Sequence, residues 1–291
     1  MSPMRNVVER AGWPWLASMV CAAGMTGGAS AQQTALSGAA VQPGKGVAVG
    51  RSLTHVMLYE GDSVGFDELV EYRNTLVLGY GLTRELTAMV HVPLVYRDFN
   101  GPVAPGTGER FTDQFNVDDI LLMGQYRFWQ NDTGAINTER AVVNGGVEVP
   151  TFADDLSSDS FDPFVGAAYS RIAGRHGLNF SGRYKFMTTT EETSVRFADN
   201  QADALRLDAG YLYRLSPEQY GLDTSHSTYL TLDVLGRYET NGDTEVILAP
   251  GYLWEGQRTA FFGGVMLPVH QNLDNRAETT VGVVLEVRIL F

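Results

Sequence analysis

Hydrophobic and polar positions alternate with a period of two along most of this chain. In residues 279–291 threonine, valine, leucine, isoleucine and phenylalanine occupy one face, while the other face carries glycine, glutamate and arginine. Residues 204–214 ("ALRLDAGYLYR") repeat the pattern, with Arg206, Asp208 and Arg214 on the polar face. Successive side chains of a strand point to opposite faces, so the pattern predicts β-strands with one apolar and one polar face.

The same alternation recurs often enough to predict about twelve strands. Most are longer than the five or six residues of an ordinary globular strand, and a tilted strand of about 9–11 residues crosses a bilayer. The predicted strands are 50–60, 69–81, 85–97, 117–129, 139–150, 160–172, 176–188, 202–214, 227–239, 244–254, 258–270 and 277–291.

The connections between these strands alternate in character. Short turns at 82–84, 173–175 and 255–257 alternate with acidic loops such as 151–160 and 188–201. Outer-membrane barrels have short periplasmic turns and longer external loops. The sequence therefore predicts an all-β fold, a transmembrane antiparallel β-barrel, with the apolar face toward lipid and the charged face around the lumen.

The first residues have the features of an export signal. Arg5 and Arg10 precede a mostly apolar run over 11–25, and Ala29 and Ala31 provide a small-x-small cleavage site. We expect residues 1–31 to be a cleaved signal peptide and the mature protein to reach the bacterial outer membrane.

The mature chain then divides into two parts. Residues 32–49 are small, mostly uncharged and interrupted by glycine and proline, so they predict a flexible periplasmic leader or a small plug. Residues 50–291 form the barrel.

Charge and cysteine content exclude several function classes. The formal net charge is -13, which argues against nucleic acid as a partner because phosphate binding requires clustered lysine and arginine. The one cysteine, Cys21, falls inside the signal peptide. We find no zinc-ligand spacing and no phosphate-binding glycine loop, so we expect no cofactor and no metal.

The chain ends on an aromatic residue in an alternating strand, "VVLEVRILF". This ending is the expected recognition signal for the barrel assembly machinery, which we predict as a partner together with outer-membrane lipid and lipopolysaccharide. The residues of the signal are Leu285, Val287, Ile289 and Phe291.

Four segments resemble a known family. The runs "YRNTLVLGYGLTRELTAMVHVPLVYRDF" (72–99), "VDDILLMGQYRF" (117–128), "VEVPTF" (147–152) and "VMLPV" (265–269) are similar to the outer-membrane family labelled as belonging to the meta-pathway of phenol degradation. The resemblance implies a barrel of about twelve strands that passes or binds small hydrophobic or aromatic compounds. Its motifs are mostly hairpin and strand features, so they indicate fold more strongly than substrate.

The charged face predicts the function. We expect a passive channel or facilitator for a small-molecule solute, with hydrophobic or aromatic compounds as candidates, and no enzymatic activity. Charged residues around a pore filter solutes by electrostatics. The candidate pore-lining residues are Glu71, Arg73, His91, Arg127, Arg183, Arg206, Asp208, Asp233, Arg237, Glu245 and His270.

Two alternatives stay open. A structural or sensing barrel would have its lumen closed by the same charges. An outer-membrane lipid hydrolase would use Ser181 with His91 or His270, all of which are predicted on the inward face.

The three prolines near strand ends allow two interpretations. Pro93, Pro150 and Pro268 either end strands at the membrane edge or open a lateral gap, since proline removes a ladder donor.

Overall fold

The computed structural model describes residues 34–60, 68–100, 114–134, 136–152, 157–188, 202–220 and 224–291. The predicted signal peptide, with Ala29 and Ala31, lies outside the described residues. Among the described residues, no helix has the length and apolar character needed to cross a membrane.

The described secondary structure consists of long strands, as the period-two pattern predicts. The strands are β1 (Ala48–Glu60), β2 (Glu68–Gly81), β3 (Leu86–Asn100), β4 (Gln114–Val117), β5 (Ile120–Gly134), β6 (Asn137–Val149), β7 (Asp162–Ala173), β8 (His176–Lys185), β9 (Ala204–Ser216), β10 (His226–Glu239), β11 (Thr244–Gly256), β12 (Thr259–Asn272) and β13 (Glu278–Leu290).

Strands β4 and β5 together form one wall strand. Both pair with β3, and the pairing is interrupted between Leu94↔Val117 and His91↔Leu121. Pro93 lies inside this interruption, and its carbonyl accepts a hydrogen bond from the Asp118 N–H (3.0 Å). Pro93 therefore interrupts the ladder in the middle of β3 instead of ending the strand.

The strands close into a barrel. Each wall strand pairs antiparallel with its neighbours in chain order, and β1 pairs with β13 from Val49↔Leu290 to Glu60↔Glu278. Counting β4 and β5 as one, the barrel has twelve strands, which confirms the predicted fold class. We call the end that holds Ala48 and Leu290 the terminal end, and the opposite end the loop end.

The two faces of the wall are as predicted from the sequence. Leu78, Leu207 and Leu285 are 62%, 58% and 55% exposed on the outside, whereas Arg97 and Asp233 are 1% and 0% exposed on the inside. An apolar exterior around a charged interior is the arrangement of a membrane barrel, because lipid solvates the outward side chains.

Two bulges reverse the alternation at the loop end. The β11–β12 register shifts so that Ile247 pairs with Pro268 but Val246 pairs with His270. The β1–β13 register shifts so that Leu58 pairs with Val281 but Tyr59 pairs with Thr279. Each bulge inserts one residue and exchanges the faces beyond it.

The exchange corrects two expectations. His270, predicted to face inward, is exposed on the outer face. Thr279, predicted on the apolar outer face, is buried and donates to Glu245 Oε1 (2.7 Å).

Pairing between β12 and β13 stops before the loop end. It runs from Thr259↔Ile289 to Met266↔Gly282 and does not continue along the rest of β12. Beyond this last pair, the Gln271 side chain connects β12 to β13. Its Nε2 donates to the Thr279 carbonyl (2.9 Å) and its Oε1 accepts from the Thr279 N–H (2.7 Å).

Candidate functional site: the barrel lumen

The barrel encloses a cavity of about 1330 Å³, lined by both wall and leader residues. Eight of the eleven candidate pore-lining residues contribute to its surface. They are Glu71, Arg73, His91, Arg183, Arg206, Asp208, Arg237 and Glu245.

The other three candidates lie elsewhere. Arg127 is near the terminal end of β5, where its Nη2 donates to the Arg84 carbonyl. Asp233 faces inward but is covered by the leader. His270 is on the outer face, with its Nε2 3.3 Å from Thr244 Oγ1, because of the bulge in β12.

Three successive contacts join the leader backbone to inward-facing side chains of the wall. The Ser37 N–H donates to Asp233 Oδ1 (3.2 Å), and the Gly38 N–H donates to Ser181 Oγ (3.0 Å). The Ala40 N–H donates to Ser170 Oγ (2.8 Å). Small leader residues leave these backbone donors accessible, and polar wall residues satisfy them.

Further contacts carry the leader to the terminal end. Gln42 Nε2 donates to the Gln125 carbonyl (2.8 Å), and the Gly46 N–H donates to the Gly81 carbonyl (2.8 Å). Residues 34–47 thus run from mid-barrel to the point where β1 begins.

Glycines on both sides permit this close approach. A Cβ added to Gly38 would lie 2.8 Å from the Cβ of Ser181. A Cβ added to Gly210 of β9 would lie 2.7 Å from Thr34 Oγ1 and 2.8 Å from Asp233 Oδ1. Neither position could hold a larger residue without moving the leader. Sequence reasoning noted the small residues of the leader but could not identify Gly210 as its contact.

A network of ion pairs lines the loop end between β2 and β5. Glu71 accepts from Arg73 Nε (3.0 Å) and from Arg97 Nε (2.8 Å). Arg73 Nη1 also donates to Asp118 Oδ2 (2.6 Å). Because Glu71 and Arg97 are buried, their charges are compensated by each other instead of by water.

A second network spans the opposite wall. Glu239 pairs with Arg237 Nη2 (2.5 Å) and with Arg276 Nε (3.1 Å), and Arg276 Nη2 lies 3.6 Å from Glu245 Oε2. Arg276 precedes β13 and was not among the predicted lining residues. Strand periodicity could not find it, since it belongs to the connection between two strands.

Asp119 fixes part of a loop-end connection to the wall. It accepts from Ser157 Oγ (2.7 Å) and from the Ser158 N–H (2.9 Å). The segment after β6 therefore folds back against the lumen side of β5.

The serine proposed for hydrolysis has other hydrogen-bond partners. Ser181 Oγ accepts from the Gly38 N–H and lies 3.3 Å from Asp208 Oδ2. His270 is on the outer face, so the structure does not bring it to Ser181. Within the described ranges, no three histidine, cysteine or acidic residues group so that they could hold a metal ion.

Comparisons with known proteins identify the fold class. The COG4313 outer membrane channel from Pseudomonas putida F1 has a similar structure, with a TM-score of 0.58 at 14% identity over 86% of this chain and 100% of that chain. The beta domain of the Bordetella autotransporter BrkA (TM-score 0.47, 12% identity) covers 85% of this chain and 100% of its own. The NanC porin (TM-score 0.44, 8% identity) covers 83% of this chain and 98% of its own.

No family model matches the chain, and no curated protein matches it. The likeness to the COG4313 channel therefore shows the fold alone. The resemblance to the phenol meta-pathway family stays a prediction.

Proposed function

We propose that this protein is an outer-membrane channel that passes small molecules passively through its lumen. The observation that supports this most directly is the pairing of an apolar exterior with a charged interior that encloses about 1330 Å³. A barrel that only needed to be stable would gain from filling this space, because packed interiors contain few voids larger than a water molecule.

The proposed orientation places the terminal end in the periplasm and the loop end outside the cell. Phe291 then lies at the periplasmic side, where the assembly machinery would bind the last strand, and the acidic loops meet lipopolysaccharide. Alternating short and long connections support this orientation.

In this proposal the leader is a plug that narrows the periplasmic half of the channel. Its backbone N–H groups donate to Ser170, Ser181 and the Asp233 carboxylate, and its Ala35 carbonyl accepts from Arg51 Nη2 (3.1 Å). A neutral hydrogen bond contributes only about 0.5–1.5 kcal/mol, so each such contact of the leader costs less to break than a buried ion pair of the wall.

Planar-bilayer recording of the mature chain tests the channel. We expect discrete conductance steps, and several-fold larger steps when residues 34–44 are deleted. A variant that replaces the same residues with a Gly/Ser sequence of equal length separates loss of specific contacts from loss of volume. If neither the mature chain nor the deletion variant conducts, the barrel is a closed structural or sensing protein.

Uptake of uncharged solutes into liposomes tests solute class. A panel that runs from sugars to aromatic alcohols at matched size would show whether apolar compounds pass faster. Equal rates across the panel would contradict the preference implied by the family resemblance and leave the channel intact.

A further inference from the structure

Three arginines stand side by side across adjacent strands of the lumen wall. Arg183 of β8 pairs with Arg206 of β9, and Arg206 pairs with Arg237 of β10. All three line the central cavity. We call Arg183, Arg206 and Arg237 the arginine row.

The row lies near the loop end, three residues or fewer from the ends of β8, β9 and β10. Directly paired residues of antiparallel strands have Cα atoms only about 4.5–5.5 Å apart. Like charges at such positions destabilise a sheet, so the row costs stability and concentrates positive potential at one height of the wall.

Three acids lie beside the row, and each has other partners as well: Glu239, which pairs with Arg237 Nη2 (2.5 Å), also pairs with Arg276 Nε (3.1 Å). Asp208 is within hydrogen-bond distance of Ser181 Oγ (3.3 Å), and Glu245 accepts from Thr279 Oγ1 (2.7 Å). The row also borders a small cavity of about 10 Å³, which is close to the space of one water oxygen. Ala204 also lines that cavity, as do Lys185 and Glu148, which are joined by a 3.0 Å ion pair.

Each arginine of the row has contacts within the protein. These contacts do not prevent anion binding, because a guanidinium has five N–H donors and can serve the protein and an oxyanion together. Its planar fork matches the two oxygens of a carboxylate. Arg183 lies over the Phe164 ring, with its Cζ 5.1 Å from the ring centroid, and this cation–π contact helps to hold it in place.

The wall next to the row, toward the terminal end, is partly apolar. Leu235 pairs with Asp208 on one side and with Ile247 on the other, and all three line the cavity. An anion held at Arg237 would therefore place the rest of its body against Leu235 and Ile247.

We propose that the arginine row is a binding site for small organic carboxylates with an apolar body, and that it gives the channel a preference for such anions. This site deepens the proposed channel function and rests on it for the selectivity, though not for the binding. The net charge of the chain is -13, but charges more than about 10 Å from the row are largely screened at physiological salt. The row can therefore bind anions in spite of the negative net charge.

Two measurements on the full mature chain test the site separately from the channel. Calorimetric titration with cyclohexanecarboxylate measures binding, with cyclohexylmethanol as the uncharged analogue. Reversal potentials in gradients of the potassium salt measure the permeability ratio of carboxylate to potassium. We expect saturable binding of the acid, none of the alcohol, and a ratio above one.

Variants of the row give the expected magnitudes. Arg206→Gln should lower both the affinity and the permeability ratio about threefold, the effect of one charge at about 7 Å in water. Arg183→Gln combined with Arg206→Gln should lower them further. Leu235→Ser should weaken cyclohexanecarboxylate binding but leave the chloride-to-potassium ratio unchanged.

Arg140→Gln is the matched control. Arg140 also lines the cavity, lies toward the terminal end of β6 and pairs with Asp132 (2.8 Å). Its replacement therefore removes one positive charge from the lumen but leaves the row intact. We expect it to leave carboxylate affinity unchanged.

The possible failures are distinguishable. Conductance with no carboxylate binding, or equal losses in the Arg206 and Arg140 variants, would overturn the site and keep the channel. Saturable binding that Arg206→Gln weakens, in a protein that never conducts, would support the site and overturn the channel.

Discussion

The leader and the strands of the wall are held by different interactions. The leader backbone meets wall hydroxyls such as Ser170 and Ser181 through single hydrogen bonds. Wall side chains form buried ion pairs at both ends of the lumen, with Glu71 and Arg97 near the loop end and Glu286 and Arg288 near the terminal end. The first kind of contact joins a separable segment to the wall, and the second joins wall side chains to each other.

The difference in free energy explains what the leader and the wall can each do. Breaking a neutral hydrogen bond whose groups regain water costs about 1 kcal/mol. Removing one partner of a buried ion pair costs about 3–5 kcal/mol, because the other charge is left uncompensated. The leader can therefore rearrange more readily than the wall, whose ion pairs set a fixed geometry for a passing solute.

The largest expected effect comes from breaking an ion pair at the loop end. Glu71→Gln leaves Arg97, which is 1% exposed, without its carboxylate and should lower the free energy of unfolding by about 3–5 kcal/mol. Urea unfolding in lipid vesicles measures it. Glu218→Gln, whose side chain is 85% exposed, is the control and should change stability by less than about 0.5 kcal/mol. Equal stability of the two variants would show that the buried ion pairs do not hold the wall more strongly than exposed ones.

The next largest effect comes from the close contact between the leader and the wall at Gly210. Gly210→Val places side-chain atoms where Thr34 and Asp233 now lie, so we expect the leader to leave the lumen and conductance to rise as far as in the deletion variant. Gly124→Val is the control, since a Cβ there comes no closer than 4.0 Å to another atom. An unchanged conductance in Gly210→Val would show that the leader does not limit the channel.

Single hydroxyl removals should have smaller effects. Ser170→Ala removes the acceptor of the Ala40 N–H and should favour the open state by about 1 kcal/mol, or about fivefold in population. Open and closed dwell times in bilayer recordings measure that population. In the deletion variant the same substitution should have no effect, and a persistent effect there would assign Ser170 a role outside the leader contact.

An effect of similar size concerns a neutral contact between two wall strands at the loop end. Gln271→Ala removes the side-chain bridge to Thr279 between β12 and β13 and should cost about 0.5–1.5 kcal/mol. Hydrogen exchange of the Thr279 amide should become faster while that of Val284 stays slow. If both amides keep their protection, other contacts hold β12 and β13 together near Thr279.

The predicted strands, and the faces on which most of their side chains lie, agree with the structure because alternation is a local pattern. Each of β2, β10 and β11 begins and ends within two residues of its predicted bounds. The faces of Leu207 and Leu285 also follow from alternation, since every second side chain shares a face. Alternation fails at His270 and Thr279, where bulges depend on how one strand fits its neighbour.

Alternation along the chain is enough to predict the barrel, its apolar exterior and the charges that point inward, because these depend on a period that any short segment displays. The contacts between those charges could not be predicted in this way, because they depend on the register between strands. Arg183, Arg206 and Arg237 are inward by phase alone, but their common height follows from the two registers that join β8, β9 and β10. The contact between Ser37 and Asp233 joins residues 196 positions apart and appears only once the barrel has closed around the leader.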